Sequence, residues 1–245
     1  MTTQGLLGRT ALVALLVGAS SCGPPRRVPL PVPFSAVGGS RPATPQGVQV
    51  FGEFGDGVWG QEQQRVEVVG GGIAFALRDR VEFGVSGYES TRGATDDPTT
   101  VVLRGKIRLS DFMGNRASLG IHVGHMNSSR ENSVQNERLT AWDVALPLTF
   151  YPAGLQFAGA ENRWGVYGAP RLVFQTFEDL VAGETTKGTL AAGLLGLVAR
   201  WKYISVRGEV NFAHTPSMTF GGATSQGGWI VLPMASLSLM LPIGD

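Results

Sequence analysis

The chain is poor in the residues from which most metal and catalytic sites are built. It has one cysteine among 245 residues, which excludes internal disulfides and a cysteine-rich metal site. Of its three histidines, His122 and His125 would point to opposite faces of a strand because they are three residues apart. The glycine-rich run 68–75, VVGGGIAF, lacks the lysine and the following helix of a phosphate-binding loop. The sequence therefore predicts neither a metal site nor a bound cofactor.

Charge is also scarce. Asp, Glu, Lys and Arg make up 16% of the chain, compared with roughly 25% in soluble domains. The formal net charge is +1, so nothing indicates binding to nucleic acid or electrostatic docking on an acidic membrane surface. Glycine, in contrast, occurs 35 times, which is about twice its usual share.

The first 21 residues predict a signal peptide. Arg9 supplies the positive charge that precedes an apolar run at 11–17. That run is too short to cross a bilayer as a helix, which takes roughly 20 residues. Small residues follow at 18–21, immediately before the single cysteine, Cys22.

This arrangement around Cys22 resembles the lipobox of bacterial lipoproteins, although Ala19 stands where that family usually has leucine. The resemblance implies that Cys22 is acylated and becomes the new N-terminus. Gly23 at the next position implies an outer-membrane address. Several acyl chains at one site would give stable anchoring, which a single chain does not. The alternative is ordinary cleavage, because 19–21 also suits a signal peptidase that recognises small residues.

Residues 23–46 predict an extended spacer. Prolines at this density do not fit within a sheet or a helix interior, because each lacks the backbone N–H that these structures need. The segment holds Pro24, Pro25, Pro29, Pro31, Pro33, Pro42 and Pro45. The predicted order is therefore a signal peptide at 1–21, a lipidated cysteine with a disordered linker at 22–46, and one domain at 47–245.

The domain from Gly47 onward predicts an all-β fold. Short runs alternate apolar and polar residues and are bounded by Gly, Asn, Asp or Pro. Ten strands are predicted, at 47–55, 64–77, 80–89, 99–110, 116–126, 138–151, 164–177, 188–201, 203–213 and 228–241. The run 188–201 is apolar on both faces, so a helix remains an alternative there.

Alternation gives each predicted strand one apolar and one polar face. The run 64–77 does not fit, because its apolar residues change parity, that is, from even to odd residue numbers. Val66 and Val68 would therefore lie on the opposite face to Ile73 and Phe75. A glycine β-bulge at 70–72 would flip the register and restore the pattern. Alternation alone does not decide which face points inward. A soluble sandwich or calycin-like barrel places the apolar face inside, whereas a membrane barrel places it against lipid.

Two patterns favour the membrane barrel. Tight links such as 78–80 and 201–203 alternate with longer polar connections, as periplasmic turns alternate with outer loops in outer-membrane barrels. This rhythm places the start of the first strand on the periplasmic side, where a lipid on Cys22 would also hold it. In the run WDVALPLTFY, an apolar stripe from Trp142 to Phe150 would be about 20 Å tall with an aromatic residue at each end.

The domain thus resembles the small bacterial outer-membrane β-barrels as a class, without the signature of a specific family. The resemblance implies a closed, antiparallel, up-and-down transmembrane barrel of about ten strands, within a range of eight to twelve. Three departures are Pro147, Pro170 and Pro233, which lie inside predicted strands and each remove a ladder hydrogen bond. A fourth is the C-terminal run LSLMLPIGD, which does not end on the aromatic residue usual in the class.

In such a barrel the polar strand faces line the lumen, which side chains fill when the barrel is small. The residues predicted to form this lumen charge cluster are Glu82, Arg104, Lys106, Arg108, Asp143, Arg171, Arg207 and Glu209. Paired with one another, they would plug the barrel. The alternative is a narrow selective channel.

The best candidate for catalysis is the run GHMNSSRENSVQNERL. A serine nucleophile needs a base within hydrogen-bond reach and a third group that orients the base. His125, Ser128 and Glu137 (or Glu131) offer these types of side chain. They resemble the trio of barrel enzymes that remove acyl chains from lipid A, often in a His-x-Ser-Asn run. Here the spacing differs by one residue, and five strands follow.

The expected function is therefore that of a non-enzymatic outer-membrane barrel protein, monomeric and lipidated, with a structural or surface-recognition role through its polar outer loops. Its expected partners are outer-membrane lipid and, through the loops, a surface ligand or another envelope protein. One alternative is a periplasm-facing lipoprotein with a soluble β-domain that binds a lipid or a protein. The other is a lipid A acyl hydrolase.

Overall fold

The computed structural model describes residues 38–39, 46–59, 64–91, 99–114, 116–131, 136–152, 163–215, 218–220, 223–225 and 228–243. The predicted signal peptide, Cys22 and most of the predicted linker lie outside these residues. Within the described part the chain forms thirteen strands: β1 Gly47–Trp59, β2 Gln64–Leu77, β3 Val81–Thr91, β4 Thr99–Phe112, β5 Ala117–Glu131, β6 Asn136–Ala145, β7 Leu148–Phe150, β8 Arg163–Asp179, β9 Glu184–Trp201, β10 Ile204–Thr215, β11 Met218–Phe220, β12 Ala223–Ser225 and β13 Gly228–Pro242. The described residues contain no helix long and apolar enough to cross a membrane.

The strands close into a barrel. The strands of the wall pair antiparallel in chain order, with β10 next to β13, and β1 pairs with β13 from Gly47 opposite Pro242 to Trp59 opposite Ile230. β6 and β7 lie end to end between β5 and β8 and act as one interrupted strand. β11 and β12 form a separate two-stranded hairpin. The described residues therefore form a closed barrel of ten strands, as predicted, and the run 188–201 lies in β9 and not in a helix.

The three prolines lie within the barrel wall, as predicted. Pro147 separates β6 from β7, yet the register against β5 is the same on both sides of it. Pro170 accepts the N–H of Leu146 at 3.2 Å through its carbonyl but has no N–H to return. Pro233 lies in β13, where the ladder with β1 lacks two pairs between Gly55–Met234 and Val58–Val231. Each proline therefore removes local hydrogen bonds without shifting the register.

The outer face of the barrel is apolar. Along β6 and β7 the predicted stripe points outward, and its ends, Trp142 and Phe150, are 53% and 38% exposed. The same holds around the barrel, where outward positions carry large exposed side chains such as Phe75, Leu103 and Leu237. A soluble sandwich or calycin-like domain would bury this face, so the exposed apolar face does not fit the alternative of a soluble β-domain. An apolar exterior on a closed barrel is the arrangement of transmembrane barrels.

The predicted glycine bulge in β2 is not present. Pairing of β2 with β1 and with β3 continues through 70–72 without a register shift. Val66 and Val68 point inward together with Ala74 and Ala76, all at most 4% exposed. The prediction failed because it assumed a uniformly polar interior, whereas the inner face becomes apolar along the strand. A register shift occurs instead in β4, between Arg108 and Ser110 against β5.

The connections at the two ends of the barrel differ less in length than predicted. We call the end where β1 begins and β13 ends the terminal end, and the opposite end the distal end. Four of the five distal connections shrink to 60–63, 92–98, 132–135 and 180–183, because strands continue into polar residues expected to form loops. The fifth, 216–227, stays long and contains the β11–β12 hairpin. At the terminal end, the link 151–162 is longer than the turns at 78–80 and 202–203.

Candidate functional site: the barrel interior

The interior of the barrel is layered. Toward the terminal end it is lined by charged and hydrogen-bonding side chains, and beyond them lies an apolar layer. The apolar layer comprises Val66, Val68, Tyr88, Val102, Met126, Leu139, Ala141, Val173, Phe177, Leu190, Ala213, Ile230, Leu232 and Met234. Polar side chains return at the distal rim, where Thr100, Ser128, Glu137 and Asp179 are buried. The sequence predicted only the charged part of this lining.

Glu53 of β1 is the centre of the first group of charges. Its carboxylate accepts a hydrogen bond from the Tyr88 hydroxyl and lies 3.5 Å from Arg104 and 3.2 Å from Arg207. Arg207 also donates to Ser236 Oγ at 2.9 Å. One carboxylate thus holds two guanidinium groups from β4 and β10 across the lumen.

Glu209 is the centre of the second group. It accepts hydrogen bonds from the Tyr167 hydroxyl and from Asn211 Nδ2, both at 2.9 Å. The Asn211 side-chain oxygen in turn accepts a hydrogen bond from Arg171 Nη1 at 2.7 Å. Arg171 makes a bidentate ion pair with Asp143, so the chain of contacts runs from β10 to β6. Isolated charges in a medium of low polarity are expensive, and this pairing makes their burial possible.

The structure brings seven of the eight residues of the predicted lumen charge cluster into the interior. Glu82, Arg104, Lys106, Asp143, Arg171, Arg207 and Glu209 are each at most 6% exposed. Glu82 and Lys106 form a cross-strand ion pair at 3.5 Å. Arg108 differs, because it lies near the terminal rim, half-buried, and pairs with Asp79 at 2.6 Å and Asp111 at 3.4 Å.

Sequence reasoning missed several members of this lining. Glu53 was absent from the predicted cluster, although its parity in β1 opposes the outward Val50 and Phe54. Phe51 has the same parity as Glu53 and packs inside beneath Arg104, whose guanidinium carbon is 3.9 Å from the ring centroid. Parity would also have identified His122 and Asn211, which are neutral or weakly basic and so carry no strong charge signal.

The hydrolase candidates do not come together. His125 has odd parity in β5, lies on the outer face and packs against Trp142, with 4.4 Å between ring centroids and a tilt of 39° between the rings. Ser128 has even parity, is buried and accepts a hydrogen bond from Thr100 Oγ1 at 2.9 Å. Glu137 is also buried inside. A histidine on one face of the barrel wall cannot act as base for a serine on the other, so these three residues do not form a triad.

The described residues do not form a metal site. No group of three or more His, Cys, Asp or Glu side chains in this part of the chain is arranged to hold a metal ion. His122 lies inside and His125 outside, as their spacing predicted. Cys22 lies outside the described residues, and its acylation stays a prediction.

No protein-family model matches the sequence, and no curated protein matches it. The structure is similar to a bacterial polysaccharide outer membrane secretin, with a TM-score of 0.45 and 9% identity over 80% of this chain and 65% of the secretin. It is also similar to the translocator domain of the autotransporter NalP from Neisseria meningitidis, with a TM-score of 0.42 and 11% identity over 97% of this chain and 98% of that domain. A third similar structure is OmpT, an outer membrane protein of Vibrio cholerae, with a TM-score of 0.32 and 12% identity over 78% of this chain and 61% of OmpT.

This chain thus spans slightly less than two thirds of the secretin and of OmpT. All three TM-scores are below 0.5 and all identities are below 25%, so the fold rests on the strand pairing of this chain. Likenesses of this kind concern at most the fold, so the function is inferred from the chain's own residues.

Proposed function

We propose that this chain is a monomeric, non-enzymatic outer-membrane barrel protein whose lumen is closed by its own side chains. The observation that carries the proposal is the combination of an apolar outer face with an interior in which opposite charges are paired. An open channel needs a continuous hydrated path, and larger barrels provide one. Here the Glu53 and Glu209 groups cross the lumen, and the apolar layer lies beyond them.

In this proposal, the distal end of the barrel performs the function at the cell surface. Asp179 organises the tight turn between β8 and β9, where its Oδ1 accepts the N–H groups of Val181 and Ala182 at 3.0 and 2.9 Å. Leu180 and Val181 at this turn are 48% and 63% exposed. We infer that the distal end faces outward and serves a structural or surface-recognition role.

The N-terminal side of the chain supports the same orientation. A lipid on Cys22 would lie in the inner leaflet of the outer membrane and would hold the terminal end toward the periplasm. This part of the proposal rests on the lipobox resemblance, because the residues around Cys22 lie outside those described.

The first experiment compares unboiled with boiled protein on SDS gels and then measures conductance of the purified protein in planar bilayers. Closed membrane barrels stay folded in SDS until heated, so we expect two mobilities. We expect no stable conductance steps, because paired charges and the apolar layer obstruct the lumen. A heat-dependent shift together with regular conductance steps would overturn the closed lumen and leave the barrel intact.

Orientation is tested separately on intact cells. An epitope inserted after Gly183 lies in the distal β8–β9 turn, where a Cβ would meet nothing within 4 Å. The matched insertion after Gly114 lies at the terminal end in equally open space. Antibody should label the first and not the second, and the reverse result would contradict the orientation.

A further inference from the structure

Two residues that precede the barrel in the chain lie inside it. Gly38 and Gly39 belong to the segment predicted to be an extended linker, yet both are buried. The side chains around them belong to β7, β8 and β10 and point into the lumen. These two residues therefore contact the inner wall near the terminal end, although they belong to the predicted linker.

Gly38 is held by the Glu209 group. Its backbone N–H faces Glu209 Oε2 at 3.5 Å, on the carboxylate that also accepts the Tyr167 hydroxyl. A Cβ on Gly38 would lie 2.9 Å from Cδ of Arg207. Arg207 has little freedom to retreat, because it is bound to Glu53 and Ser236.

Gly39 packs against side chains of β7 and β8. A Cβ there would lie 2.9 Å from Oγ1 of Thr149 and 3.7 Å from the Tyr167 ring. Thr149 is fully buried, although it is the second of three residues in the short strand β7. The close approach of Gly39 contributes to that burial.

The backbone conformation adds a second requirement for glycine. Gly38 and Gly39 have φ angles of 69° and 85°, a region that side chains disfavour. Two consecutive residues of this kind let the chain pass through a narrow space, and both positions lack room for a Cβ. The wall and the segment thus fit each other in shape, in backbone conformation and through one hydrogen bond to a charged acceptor.

We propose that the lumen at the terminal end is a binding site for the chain's own Gly38–Gly39 segment, formed by Thr149, Tyr167, Arg207 and Glu209. The bound segment covers the Glu209 group from the terminal side. The inference needs the barrel but not the absence of conductance, because docking and conductance are measured independently.

The test uses the full chain with Cys22→Ser and a single reporter, Thr149→Cys, which is close in size to the residue it replaces. A membrane-impermeant maleimide should label this thiol slowly in detergent-purified protein, because Gly39 covers it. In Gly38→Val/Gly39→Val we expect labelling at least tenfold faster. The control is Gly183→Val, which has the same φ of 69° but no atom within 4 Å of its Cβ, and it should label slowly.

The labelling rates decide whether the Gly38–Gly39 segment is docked. Fast labelling of the parent, or a double variant that labels at the parental rate, would overturn the docking. All variants must first show the heat-dependent gel shift, which separates lost docking from failed folding. Stable conductance steps with slow labelling would overturn the closed lumen and keep the docked segment.

A second measurement covers the case in which the double variant does not fold. Gly39→Cys with Thr149→Cys should form a disulfide on mild oxidation, because the new bond would replace the close contact between the Gly39 Cβ and Oγ1 of Thr149 that excludes other side chains. Gly183→Cys with Thr149→Cys serves as the control and should stay reduced. No cross-link in the first pair, or equal cross-linking in both, would refute the proposal.

Discussion

Arg171 and Asp143 form a bidentate ion pair on the inner wall of the barrel, with neither side chain exposed. Arg171 Nε donates to Oδ1 of Asp143 at 2.7 Å, and its Nη2 donates to Oδ2. The two residues lie on neighbouring strands, since Asp143 is opposite Val173 in the ladder between β6 and β8. A third hydrogen bond from Arg171 reaches Asn211 on β10, so one guanidinium links β6, β8 and β10.

Replacing Arg171 should destabilise the barrel strongly. Arg171→Met leaves the Asp143 carboxylate buried without its main partner, and breaking a buried pair from one side costs about 3–5 kcal/mol. We expect a clear shift to lower urea in the unfolding curve of the detergent-solubilised protein, followed by tryptophan fluorescence. Arg65→Met is the control. Its ion pairs with Asp56 and Glu67 are exposed, and it should leave the curve unchanged.

A second comparison separates charge burial from packing. Arg171→Met/Asp143→Leu removes both charges, so it should destabilise less than Arg171→Met alone. If the double variant loses as much unfolding free energy as the two single variants lose together, the pair does not act as a unit.

Parity made most of the barrel predictable. Alternating apolar and polar residues identified the ten strands, and the inward parity of Arg104, Arg171 and Glu209 followed directly. The apolar layer could not be predicted in the same way. Val66 and Val68 are as apolar as the outer face, so local pattern does not distinguish a residue facing lipid from one packed in the interior. Only the unbroken ladders of β2 show which side they face.

The distal strand ends escaped prediction for a different reason. Residues such as Ser129 and Glu178 are polar and resemble loop residues, yet they belong to β5 and β8. Their strand conformation comes from hydrogen bonds to neighbouring strands, which are formed by residues far away in sequence. The docked Gly38–Gly39 segment is hidden likewise, because its partners lie more than 100 residues later.

A charge on the outer face should distinguish a membrane barrel from a soluble one. Leu146 lies midway along the outward stripe between Trp142 and Phe150 and is 44% exposed. Leu146→Arg should destabilise the lipid-embedded protein by about 2–4 kcal/mol, the range for arginine near the bilayer midplane. The measurement is reversible urea unfolding in lipid vesicles.

Met113→Arg provides the control for that measurement. Met113 is 66% exposed and lies in the terminal turn between β4 and β5, beyond the ends of the strands. We expect it to change stability by less than about 1 kcal/mol. Equal, small effects of both substitutions would argue against a lipid-facing outer surface.

Gly196 should be required for the position of Tyr167. The two residues are opposite each other in the ladder between β8 and β9, and a Cβ on Gly196 would lie 2.6 Å from the tyrosine oxygen. Gly196→Ala should therefore move the ring and weaken its bond to Glu209, with a loss of about 1–3 kcal/mol from overpacking. Gly208→Ala, where a Cβ meets nothing within 4 Å, should be much milder in the same unfolding assay.

The opposite faces of His125 and Ser128 predict that the lipid A hydrolase hypothesis will fail. Cells that express the parent chain and cells that express Ser128→Ala should carry lipid A with the same acyl chains, measured by mass spectrometry. Loss of an acyl chain with the parent, abolished by Ser128→Ala, would show that the wall rearranges to bring the two residues together.

Cys22→Ser tests whether the protein is held in the membrane by its barrel or by an acyl chain on Cys22. If the apolar outer face contacts lipid, the barrel stays in the membrane without an acyl chain. We therefore expect Cys22→Ser to remain in the membrane pellet after carbonate extraction and to keep its heat-dependent gel mobility. Metabolic labelling with a fatty acid should mark the parent chain and not the variant. Release of the variant into the supernatant would mean that the lipid supplies the anchoring, and unlabelled parent chain would mean that the signal is simply cleaved.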